Sequence, residues 1–217
     1  MNRSLLALLA VLALVLGAGC LGMVFGDGIE AVASPAEVEQ DAVDDTGFEY
    51  DQADTIEIDE TVEAAGQERR ILITNHVRTY QQTEGAMGLD QQTGAFVVLS
   101  TPDVTVARQS VNPLTRMDHR ELLGEFEDEL ESEVGSFEDV RKVDERTEPI
   151  LGTDATVTTF AADTEMQGQT VTLHIHLTTV THEGDVILAM GIHPEAFQHQ
   201  ASEVFELMND IEHPVEE

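Results

Sequence analysis

Acidic residues outnumber basic ones 43 to 10 in this chain, and that imbalance limits what it can fold into. Self-repulsion on this scale opposes any compact state unless salt screens it, and at about 1 M salt the Debye length falls to roughly 3 Å. The basic residues are nearly all arginine, with Lys142 the one lysine. Yet 41% of residues are hydrophobic, and they fall in strand and helix periods, so a packed core is expected under an evenly acidic surface. Acid excess with scarce lysine points to life in concentrated salt. The same sign argues against nucleic acid and anionic membrane surfaces as direct ligands.

The N-terminus supplies an address. Arg3 precedes an apolar run from Leu5 to Leu16, the length of a secretory signal and short for a membrane span. Gly17, Ala18 and Gly19 then lead into Cys20, the sole cysteine. A small residue directly before the cysteine is what lipoprotein cleavage requires, although Gly17 stands where such sites usually carry leucine. Residues 1–20 are therefore expected to be a signal peptide with a lipidation site at Cys20. An uncleaved anchor from Leu5 to Phe25 is the alternative. The letters Gly17-Ala-Gly-Cys-Leu-Gly22 match a dinucleotide-binding fingerprint, but they follow no strand and open no amphipathic helix. Residues 21–47 read as an acidic tether holding one short helix, with Ser34, Pro35 and Glu37 as its capping box.

From residue 48 to 217 the pattern predicts a single α+β domain. Ile56 and Ile58 alternate with acids ahead of Ala65-Gly66, and Ile71, Ile73 and Val77 follow, which makes a hairpin. Residues 84–94 read as a glycine-rich loop, and Phe96 to Leu99 as a central strand. Asp118 and Glu121 cap a helix running to Gly135, with Leu122, Leu123, Phe126, Leu130 and Val134 on one face. Three or four strands are expected over residues 140–150, 155–161, 170–181 and 186–192, with turns at Gln167-Gly168 and Glu183-Gly184. Pro194 opens the last helix, striped by Phe197, Ala201, Val204, Phe205, Met208 and Ile211. The expected architecture is a largely antiparallel sheet packed by two amphipathic helices.

Histidine makes the most specific constellation. His174 and His176 lie two apart on one strand face. A two-residue turn at Glu183-Gly184 sets a register in which His174 faces His193 and His176 faces Gly191. Three imidazoles on one patch could hold zinc or copper with one further ligand. The competing reading is a polar strand face toward solvent. No other cofactor is expected. The chain carries no G-x-S-x-G, no H-E-x-x-H and no phosphate-binding G-x-x-x-x-G-K-[ST], so a hydrolase would lack a recognisable nucleophile and base. Tyr80 with Arg69 and Arg70 could decorate a ligand surface or merely a strand edge.

Ala95-Phe-Val-Val-Leu-Ser-Thr-Pro102, Asn112-Pro113, Leu151-Gly-Thr153 and His182-Glu-Gly-Asp-Val186 leading to His193-Pro194 stand beside the signal ending in Gly-Cys. Together they resemble an uncharacterised family of secreted haloarchaeal lipoproteins. The order of elements from Asp118 to Pro214 also resembles a PsbP-like α/β sandwich. These resemblances imply a non-catalytic binding or accessory module on the outer face of the cell membrane, held by its lipid anchor. Its partner would be an envelope protein or an extracellular solute. The alternatives carried forward are a metal-binding surface protein and, third, an extracellular hydrolase.

Overall fold

The computed structural model describes residues 29–215, apart from 65–66, 87–88, 107–108, 111, 128–129, 132–134 and 167. Cys20 and the signal segment lie outside the described residues. In chain order the elements are β1 (Ile29–Val32), β2 (Glu37–Val38), α1 (Gln40–Thr46), β3 (Glu49–Ala64), β4 (Gln67–Ala86), β5 (Leu89–Pro102), β6 (Thr105–Val106) and β7 (Gln109–Ser110). A 3-10 turn at Pro113–Thr115 leads to α2 (His119–Glu125), β8 (Glu138–Ile150), β9 (Thr153–Met166), β10 (Gln169–His182), β11 (Asp185–Pro194), α3 (Gln200–Asn209) and β12 (Ile211–Glu212).

Seven long strands form one antiparallel sheet in the order β3-β4-β5-β11-β10-β9-β8. β1 adds in parallel to Ile71–Thr74 of β4, beyond the end of β5. Two of the hairpins turn on residue pairs with positive φ, Leu151-Gly152 and Glu183-Gly184, whose twist matches that of the strands they join. Central β11 is buried on both faces. Ile187 and Ala189 join a cluster with α1 and α3, whereas Leu188, Met190 and Ile192 join one with α2. The fold is thus an α+β domain whose antiparallel sheet is covered on both sides by helices, three among the described residues: the two expected to pack it and the short one expected in the tether.

Several local expectations needed correction. Residues 29–47 were expected as tether, but β1 enters the sheet and Ala33, Ala36, Val38, Ala42 and Val43 are buried. The helix expected from Pro35 starts at Gln40, because the preceding backbone is committed elsewhere. Val38 N–H donates to the Tyr80 hydroxyl, and β2 pairs with β12. The 84–94 loop is instead ladder, since β4 and β5 stay paired to Ala86 and Leu89 across a bulge at Gln82/Thr83. The capping box at Asp118 and Glu121 forms, but α2 breaks at Phe126, which leaves helical angles before an i→i−4 bond resumes at Leu130. Phe126 and Leu130 pack on the same cluster as Leu122 and Leu123, while Val134 lies outside the described residues. Pro194 ends β11 and does not start a helix. Glu195 N–H extends the ladder to Thr172, and α3 begins only at Gln200.

Candidate functional site: a histidine layer and groove under the last helix

Alternation places His174, His176 and His182 of β10, and Asp185 and His193 of β11, on the sheet face toward α3. The register expected from the two-residue turn holds: His174 pairs with His193 and His176 with Gly191. That face is roofed and does not open to solvent. Gly191 lets α3 sit against the strand, since a Cβ there would lie 2.3 Å from Val204 Cγ1. His176 and His193 are consequently 2% and 1% exposed.

Their ring nitrogens form a directed chain. The Pro194 carbonyl can only accept, so the 2.9 Å contact puts the proton of His193 on Nδ1. Its Nε2 then accepts from His176 Nε2–H at 3.0 Å, and His176 Nδ1 accepts from the Thr159 hydroxyl at 2.9 Å. Both rings are neutral in this arrangement. Burial pushes the His176 pKa down to about 3, helped by the neighbouring His193, His174 and Arg146. Burial likewise lowers His193. The Phe205 ring of α3 meets His176 edge-on, 4.9 Å between centroids.

His174 sits at the rim, partly exposed, with Nε2 3.8 Å from a Glu195 carboxylate oxygen. The fold therefore brings the three expected histidines together, but two of them use their nitrogens on each other and on Thr159 and Pro194. Among the described residues, no group of three or more His, Cys, Asp or Glu is arranged to hold a metal ion.

A second cluster went unread in the sequence. Asp185 Oδ2 accepts from the Ser34 backbone N–H at 2.8 Å and from His213 Nε2–H at 3.1 Å, and His213 Nδ1 meets His182 Nδ1 at 3.0 Å. It fastens the segments before β2 and after β12 to the β10–β11 turn. Half of it was available from the register, which sets His182 opposite Asp185. Nothing local announced that His213 would return to the same place. Tyr80 proves internal, buried and accepting from Val38, and Arg70 pairs with Asp59 on the exposed ribbon of β3 and β4. The side chain of Arg69 lies outside the described residues.

Beside the histidine layer, between α3 and edge strand β8, opens a groove of about 490 Å³. Arg146 lies over the Phe205 ring, 4.1 Å from its centroid, and its Nε is 2.5 Å from Glu148 Oε1. Glu148 Oε2 accepts from Asn209 Nδ2 at 3.3 Å. The groove is open to solvent, and Arg146 covers Phe205, the aromatic ring that lines it.

Fold and groove together define an antiparallel α+β domain with a layer of buried polar groups under one helix. The chain belongs to a family described as a domain of unknown function (DUF6517), matched over residues 35–212. The match spans the sheet and helices from β2 through β12. No curated protein matches the chain.

Proposed function

We propose that this domain is a non-catalytic binding or accessory module carried on the outer cell surface by a lipid at Cys20, in an organism of high-salt environments. The observation that carries the reading is the spacing from Leu16-Gly-Ala-Gly-Cys20 to the fold: the sheet begins at Ile29, nine residues on. A cleaved and lipidated Cys20 would hold the domain close to the membrane. The chain enters on the β4 side of the sheet, and the groove beside β8 lies at the opposite edge. No helix among the described residues is long and apolar enough to cross a membrane. A binding role draws support from the groove, and from the engagement of the buried histidines with one another and the backbone. The acidic surface supports a high-salt setting.

Intact mass of the membrane-extracted protein tests the anchor. Loss of the first nineteen residues with a lipid adduct is expected, together with release or precursor accumulation for Cys20→Ser. Full precursor mass with no effect of Cys20→Ser would overturn it.

The metal reading is favoured by one observation, the facing Nε2 atoms of His176 and His193. A bound ion would have to replace the proton between them and recruit His174. Elemental analysis of the purified protein and of a His174→Ala/His176→Ala variant decides it, with stoichiometric zinc or copper lost in the variant as the supporting result.

A further inference from the structure

We infer that Leu21, Met23, Val24 and Phe25, the apolar residues just ahead of β1, pack across the outer end of the α2-side sheet face and strap the chain to β3 and β4. The register defines that end. Ala31, Ile73 and Ile58 lie opposite one another across β1, β4 and β3, as do Ile29, Ile71 and Glu60 two residues along. Ile56 stands beside Ile58 on the same face. Val77, four residues after Ile73, pairs with Leu99 of the α2 cluster, so this is the α2 side of the sheet. The cluster under α2 takes residues from β5, β11, β10 and β9 but none from β1, β3 or β4. Ile56 and Ile58 are accordingly 47% and 38% exposed.

Ile71 breaks the pattern. It is 1% exposed, and among the largest fully buried side chains of the described residues it alone belongs to neither apolar cluster. Its strand neighbours stand beside it, so its cover has to come from another segment, and α1, α2 and α3 are engaged on the two clusters. The chain entering β1 is the segment within reach. Ile29 pairs with Ile71, and Phe25 precedes Ile29 by four residues, a span of up to about 14 Å. β3 lies two strands from β1, about 10 Å away. Gly26 and Gly28 permit the reversal of direction. Residues 21–25 carry no charge, so they meet the acidic edge without repulsion. A second copy is the poorer occupant, since each β3 brings seven acids and no base to the contact.

The orientation that follows, with the β3 edge held at the membrane, rests on the anchor proposed above; the packing does not. The chain has no tryptophan, so Phe25→Trp in the full chain, extracted in detergent and kept in molar KCl, reports on this segment alone. Short-wavelength emission is expected, shifting to long wavelength when Ile56→Ser/Ile58→Ser is added and staying short with Val143→Ser on the far edge. Short-wavelength emission untouched by Ile56→Ser/Ile58→Ser would place the segment in detergent, as an uncleaved anchor requires, and would overturn the strap. Long-wavelength emission in every variant would overturn it as well. Emission that moves with protein concentration would assign the face to a second copy and overturn the strap in its favour. The mass measurement on Cys20 reads the anchor separately in every case.

Discussion

The two faces of the sheet are packed by different chemistry. Toward α2 the interior is mainly hydrocarbon: Phe160, Leu173, Ile175, Leu177, Leu188 and Met190 lie against Leu122 and Leu123, with Thr158 bonded to His119 and Thr101 to Asn112 on the same face. Toward α3 a comparable apolar set is interrupted by His176, His193, Gln82, Gln200 and Glu148, all buried. Gln200 donates to Gln82 and to Thr93 Oγ1, while Gln82 donates to the Thr46 carbonyl and to Glu203. An apolar face needs only volume and complementarity, and it tolerates any helix of the right stripe. A hydrogen-bonded face holds its helix in one seat, because a displaced helix strands buried polar atoms. The groove beside β8 occurs on this second face.

If the comparison is right, the faces should fail differently. The largest loss is expected from Ile175→Ala, which opens a cavity on the apolar face and should cost about 2–5 kcal/mol in denaturant unfolding at high salt. Next is acid. The His176 pKa is lowered on folding, so the unfolded chain binds the extra proton as pH drops below about 6.5. The stability involved is present above that value and is lost as pH falls toward 3. Roughly 3–5 kcal/mol is at stake, and His176→Gln should flatten that part of the pH–stability curve even though it begins less stable. An unchanged slope in the variant would detach the histidine layer from the acid response. Gly191→Ala, which drives a methyl into Val204, should cost about 1–3 kcal/mol and loosen α3 in hydrogen exchange before the strands. Asp118→Ala removes the α2 cap for about 1 kcal/mol, leaving the α3 face untouched. A stability curve against salt would sharpen the surface side of the account: loss of structure on dialysis to dilute buffer is expected, as 43 acids lose their screening.

What the sequence disclosed follows the range of the forces involved. Turn chemistry at Glu183-Gly184 fixed the β10–β11 register to the residue, because two positive-φ positions allow one hairpin geometry. Period-two alternation over residues 170–181 sets Leu173, Ile175 and Leu177 on the face opposite the histidines, and all three are buried. The same alternation put the histidines on the other face but could not say what covered them, since that depends on α3 folding back over Gly191. The Ser34 capping box failed for a related reason. Its local pattern was sound, but Tyr80, Thr74 and Asp185 took the backbone donors from across the fold. His213 became meaningful only once distant segments met.

The central claim is that His176 and His193 form a neutral, directed pair seated under α3. Nitrogen-15 NMR of the imidazoles in the full chain at neutral pH tests it most directly. The account predicts an Nε2-protonated His176 and an Nδ1-protonated His193, unchanged on adding zinc and persisting well below pH 6. A doubly protonated His176 at pH 6, or zinc-induced loss of the Nε2 proton, would contradict it.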